Sequence, residues 1–215
     1  MVYAEVFLVG ILAGLSPGPD FVVVMKNSLM LGRKNGIFTA LGISCALIVH
    51  ITYTILGFTI LLEKWPMLFQ FVKLLGAGYL LWLGFQGIRS QAKPEASPVV
   101  SYQSTAPTTL RKSFWQGFLC NVLNPKSALF FLSIFSQFID ANTPGWLRWI
   151  YGGEIIFAVS LWFILLATLI SNRYFRTFYQ KHMHWFDRGL GAMLMIFGVI
   201  IGYTTVSYIA EEVVN

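Results

Sequence analysis

Two charged residues stand where this chain otherwise carries almost none. Asp20 lies in Leu15-Ser16-Pro17-Gly18-Pro19-Asp20-Phe21, interrupting an apolar run from Val6 to Met25 that is about as long as one bilayer crossing. Lys126 follows Asn121, Asn124 and Pro125 near the centre of a second apolar run, 114–139. A charge at the centre of a spanning helix costs roughly 2.5–3.5 kcal/mol on insertion scales. At that depth a carboxylate can hold a cation or a proton, and an ammonium can hold an anion. The prolines remove backbone donors and Gly18 loosens the first break, so neither helix is continuous. Broken backbone is tolerated there only against protein or a water-filled cavity. The simpler alternative for Asp20 is a solvated acid beside a proline kink. A polar site fits better, drawn from Ser16, Pro17, Gly18, Pro19 and Asp20 on one side and Asn121, Asn124, Pro125 and Lys126 on the other.

Further candidates are weaker. His50 shares a helical face with Thr54 and Gly57, and either joins the site or bonds to a neighbouring helix. Glu154 follows Gly152-Gly153 about two turns into another apolar run. Glu154, Lys26 and Lys73 either line a pathway or snorkel to the nearer interface. Lys126, at the middle of its run, has no such exit. Ser16, Asp20 and Asn27 form one helical stripe, and Lys126, Ser133 and Gln137 another. Cys45 and Cys120 lack the spacing of a metal or redox motif and suit packing as small apolar residues. A second reading makes them the thiols of a membrane thiol-disulfide electron carrier. No nucleophile–base pair, metal-ligand spacing or phosphate-cradling loop is present, so no enzyme, cofactor or metal is expected.

The elements that must position these groups follow from composition. Of 215 residues, 56% are hydrophobic and 11% charged. Apolar stretches of spanning length fall at about 2–28, 37–62, 66–88, 114–139, 146–170 and 189–210. The expected class is an all-α integral membrane protein with six transmembrane helices, the first and fourth broken at prolines. The first run lacks a basic leader and continues past Leu15, so cleavage as a signal peptide is not expected. The formal charge of +6 reports orientation rather than nucleic-acid binding. With the N-terminus outside, ten basic residues fall in inner loops: Arg33, Lys34, Arg89, Lys93, Arg111, Lys112, Arg173, Arg176, Lys181 and Arg188. Only Lys64 and Arg148 fall outside. That bias places both termini outside the cytoplasmic membrane.

Residues 90–112 are mostly polar with three prolines and read as a flexible cytoplasmic linker. They separate residues 1–89 from residues 113–215, two sets of three spans in one membrane domain. Leu75-Gly76-Ala77 is echoed by Leu190-Gly191-Ala192, and Lys73 by Arg188 at the same spacing. Pro125 breaks the fourth span much as Pro17–Asp20 breaks the first. An odd number of spans per set predicts two inverted three-helix repeats, in which matched broken helices mark a substrate site. Gly32, Gly36, Ala40 and Ser44, at four-residue steps, serve either internal close packing or a homodimer.

The chain resembles the LysE/RhtB family of amino-acid exporters. The resemblance rests on Ser16-Pro17-Gly18-Pro19-Asp20, on Gly32-Arg33 through Gly36 and Gly42, and on Gly76-Ala77-Gly78-Tyr79-Leu80-Leu81-Trp82-Leu83-Gly84. Gly117-Phe118, Asn121 to Lys126, Phe130-Phe131 and Gln137-Phe138 continue it; after Asp140 only the span pattern matches. It implies efflux of amino acids or their derivatives from a bacterial cytoplasm, driven by the proton-motive force. The partners implied are an amino-acid substrate, protons and the lipid bilayer. On that expectation, half-helix N-termini and Lys126 suit a substrate carboxylate. Asp20 suits the ammonium or, once it leaves, a proton. Competition between the two at one carboxylate gives antiport, with Glu154 and His50 next in line for the proton.

Overall fold

The computed structural model describes residues 2–15, 18–91, 108–139, 142–170 and 172–214. Ser16, Pro17 and linker residues 92–107 lie outside the described residues. Among those described there are eight helices and no strand: α1 Val2–Leu15, α2 Pro19–Met30, α3 Arg33–Lys64, α4 Pro66–Ile88, α5 Leu110–Val122, α6 Pro125–Phe138, α7 Gly145–Leu169 and α8 Arg173–Val214.

Proline sets three of the starts. Pro19, Pro66 and Pro125 each open a helix, where the missing N–H is one that the first turn leaves unused anyway. The side chain of Thr109 caps α5 by accepting from Lys112 N at 3.3 Å. Asn124 caps α6, its Oδ1 accepting from Lys126 N at 3.0 Å. Between α5 and α6 the axis bends by 59°, because Pro125 cannot continue the hydrogen-bond ladder of α5.

Four helices are long and apolar enough to cross a membrane, and the bent α5/α6 pair makes a fifth. At 14 and 12 residues, α1 and α2 are each too short alone. The described residues therefore support a helical membrane protein with four or five such spans; six is the sequence expectation. Two boundaries differ from expectation. Helix α5 starts at Leu110, inside the predicted linker. Helix α8 starts at Arg173 rather than near residue 189, because its first turns are helical but too polar to register in an apolar window.

The chain's two parts interlock. Helix α3 packs along both α5 and α7, α1 along α7, and α4 along α8. The α3–α5 contact needs glycine on each side. A methyl group at Gly42 would strike the Phe114 carbonyl, and one at Gly117 the Thr39 carbonyl. The stripe of small residues on α3 is also taken up inside the chain: Gly36 lies against Ser28, Ala40 is fully buried, and Ser160 Oγ donates to Ser44 Oγ at 2.7 Å. Phe58, Phe69, Phe135, Ile43 and Leu47 fill the core, whereas Leu75, Trp82, Val199 and Tyr203 face outward. A core and an apolar exterior together are what a lipid-facing bundle requires. Lys73 and Arg188 each sit over an aromatic ring about one turn earlier, Phe69 at 5.9 Å and Trp185 at 5.3 Å.

Candidate functional site

The two proline breaks meet at Asp20. This residue occupies the first turn of α2, where the helix dipole favours a carboxylate, and it is buried. Its Oδ2 accepts three hydrogen bonds, all from the other break: Asn121 Nδ2 at 3.0 Å, Asn124 Nδ2 at 3.1 Å and Ser127 Oγ at 3.0 Å. Its Oδ1 is buried too, and among the described residues it has no hydrogen-bond partner by distance and angle. A carboxylate oxygen in that position is an acceptor held ready for a ligand cation or a proton.

Around Asp20 lies a cavity of about 40 Å³. Gly18 and Asp20 come from the first break, Asn121, Asn124, Lys126 and Ser127 from the second. Leu47 of α3, Phe130 and Phe131 of α6, and Val159 and Phe163 of α7 form the apolar wall. Lys126 sits in the first turn of α6, where the dipole opposes a cation by roughly 0.3–1 kcal/mol. Asp20 lines this cavity with it and Asp187 lines a neighbouring one with it, both of opposite charge. Tyr79 Oη of α4 donates to the Lys126 carbonyl at 3.4 Å.

His50 acts on the site through Asn121. It is buried, and its Nε2 lies 3.0 Å from the Asn121 carbonyl oxygen. A carbonyl only accepts, so Nε2 carries the proton. In the neutral ring Nδ1 then accepts from the Tyr53 hydroxyl at 2.6 Å. The ring also stacks on Phe131, centroids 6.3 Å apart. His50 therefore fixes the last turn of α5, whose side chain in turn holds Asp20.

The remaining expected residues divide clearly. Ser16 and Pro17 lie outside the described residues. Pro19 and Pro125 are exposed, and they shape the breaks without lining the cavity. Glu154 is half-buried on α7 and is not among the residues lining the cavity at Asp20. Asn27, expected on the Asp20 stripe, points elsewhere: its Nδ2 donates to Thr39 Oγ1 at 2.8 Å and to Gln116 Oε1 at 2.9 Å, tying α2 to α3 and α5. Cys45 and Cys120 are both free thiols. Ser127 and Asp187 were not singled out by the sequence reading. The signal for Ser127 was its place in the first turn of the half-helix that Pro125 opens. For Asp187 it was an acid immediately before an apolar run.

Comparison with known proteins follows the same lines. Residues 11–205 match the family described as LysE type translocator. The threonine efflux protein of Escherichia coli strain K12 is 34% identical over 199 residues, covering 93% of this chain and 96% of that one. The threonine efflux protein of Salmonella typhi is 32% identical over 203 residues, with the same coverage. An uncharacterized membrane protein of Haemophilus influenzae is 25% identical over 195 residues, 91% of this chain and 93% of its own. No solved structure matches the chain.

Proposed function

Because the chain belongs to the LysE type translocator family, we propose that it exports small neutral amino acids of the threonine class from the bacterial cytoplasm in exchange for protons. The observation that carries this reading is the Asp20 carboxylate, held on one oxygen by Asn121, Asn124 and Ser127 and, among the described residues, without a hydrogen-bond partner on the other. An amino acid presents an ammonium and a carboxylate. Asp20 Oδ1 takes the ammonium, while Lys126 at the positive end of α6 takes the carboxylate. When the ammonium leaves, a proton occupies the same oxygen. One carboxylate that binds either substrate or proton couples the two flows without a separate proton path.

The fold supports the mechanics of this reading. In each part of the chain two short successive helices, α1 and α2 or α5 and α6, stand where one span is expected, and α1 lies on α7 while α5 lies on α3. Two inverted three-helix repeats rocking about the paired breaks would expose Asp20 to each side in turn. The inner membrane, with both termini outside, is the orientation favoured by the basic loops. A thiol carrier has nothing comparable in its favour, since the similar proteins with a printed function are efflux proteins. Uptake of a panel of labelled amino acids into everted membrane vesicles tests the proposal. Accumulation of threonine or a close analogue, collapsed by a protonophore, is the expected result. Uptake indifferent to the protonophore would overturn the coupling, and no uptake of any amino acid would overturn the function.

A further inference from the structure

A second and larger cavity, about 210 Å³, lies beside the one at Asp20. The Asp20 cavity, at about 40 Å³, holds on the order of three waters. Gln86 and Ser90 of α4, Lys126 of α6, and Asp187, Leu190 and Leu194 of α8 are among the residues enclosing the larger space. Lys126 is the single described residue that lines both cavities. Asp187 is buried, and its Oδ2 accepts from Ser90 Oγ at 2.8 Å. Arg188 Nε donates to the Ser90 carbonyl at 3.0 Å, so the α4–α8 seam is fixed from both sides. A methyl group on Gly87 would meet the Asp187 carbonyl at 2.7 Å, so α4 and α8 pack closely there.

An acid buried at the end of an apolar helix is costly and marks a site by default. Here it lines one cavity together with Lys126 and with Leu83, Leu190 and Leu194. That is the outline of a zwitterion. Ser90 and Asp187, next to Arg89 and Arg188 in sequence, line it, and the basic-loop bias assigns that part of the chain to the side from which an exporter loads. We infer that this cavity is an entry subsite for zwitterionic α-amino acids, with the ammonium on Asp187 and the carboxylate on Lys126. From there the ammonium moves to Asp20 while Lys126 keeps the carboxylate, so Lys126 is the pivot between the two cavities. The inference rests on the export reading and adds to it a second acid with a separate role.

Two measurements on the intact protein test it. In everted vesicles, Asp187→Asn keeps the Ser90 hydrogen bond but loses the charge. It should raise the KM for L-threonine roughly tenfold, the loss of one charge-assisted hydrogen bond, and leave the maximal rate nearly unchanged, as expected for a group that binds without driving the transition. An unchanged KM overturns the inference. The second measurement needs no transport. In a Cys45→Ala, Cys120→Ala background, Gln86→Cys should react with a charged, membrane-impermeant maleimide added to everted vesicles, and zwitterionic amino acids should slow that reaction. If Asp187→Asn fails to reach the membrane, or wild-type vesicles take up no threonine, this labelling decides. Protection by any amino acid of the set upholds the subsite even though the threonine reading has fallen, and no protection by any of them overturns it.

Discussion

The side-chain amide of Asn124 donates to Oδ2 of Asp20 across 3.1 Å, although 104 residues separate the two in sequence. The other end of the same amide caps α6 through Lys126 N. Both assignments are forced, because a carboxylate only accepts and a backbone N–H only donates. One side chain thus starts one half-helix and holds the acid of the other.

Asn124→Ala should therefore cost twice, once for the cap and once for the donor to a charged group, about 2–4 kcal/mol in all. Asn124→Asp keeps the cap and sets a second carboxylate beside Asp20. Its melting temperature in detergent should lie closer to wild type than that of Asn124→Ala, while efflux is lost. Equal melting temperatures for the two variants would show that the cap carries little of the stability.

His50 separates holding from proton transfer. His50→Gln can still donate to the Asn121 carbonyl and should keep proton-driven efflux. His50→Leu leaves that carbonyl without its donor, at about 1–3 kcal/mol, and should lower both stability and transport. If His50→Gln folds as wild type yet loses protonophore-sensitive accumulation, the ring carries protons after all.

The thiols should be dispensable. Cys45→Ala with Cys120→Ala should transport like the parent chain within about twofold, since each change removes only a small, half-buried side chain. Loss of all activity in a well-expressed double variant would revive the thiol carrier.

Much of the positioning could be read from the chain because proline and glycine act locally. Pro19, Pro66 and Pro125 each begin a helix, and the Gly42–Gly117 approach lies in blocks already notable as sequence. Asp20, Asn121 and Asn124 could be singled out because polar groups at that depth need partners. Which partners they choose could not, since that depends on a 59° bend and on the rotation of α6 that it sets. Ser127 was missed for that reason: a serine beside a lysine carries no signal until the turn aims it at Asp20. Asp187 was missed because an apolar window cannot see the polar first turns of α8, which carry the helix outward to Arg173. Asn27 shared the right stripe with Asp20, but the approach of Thr39 and Gln116 drew it away.

Orientation has its own test. Reporters of membrane side fused after Gln91 and after Val214 should report opposite faces, the first cytoplasmic, because an odd number of spans separates them in the proposed topology. The same face for both would remove the inverted repeat and with it the rocking mechanism.

The central claim, that one carboxylate carries both substrate and proton, is met most directly by Asp20→Asn in everted vesicles, empty for the accumulation measurement and loaded with unlabelled threonine for the exchange measurement. The amide preserves shape and can still accept from Asn121, Asn124 or Ser127, but it cannot titrate. Accumulation of labelled threonine against its gradient should vanish under an imposed proton gradient, while exchange of labelled for unlabelled threonine persists at a reduced rate. If Asp20→Asn accumulates threonine as the wild type does and a protonophore still abolishes it, the proton is carried elsewhere and the account is wrong.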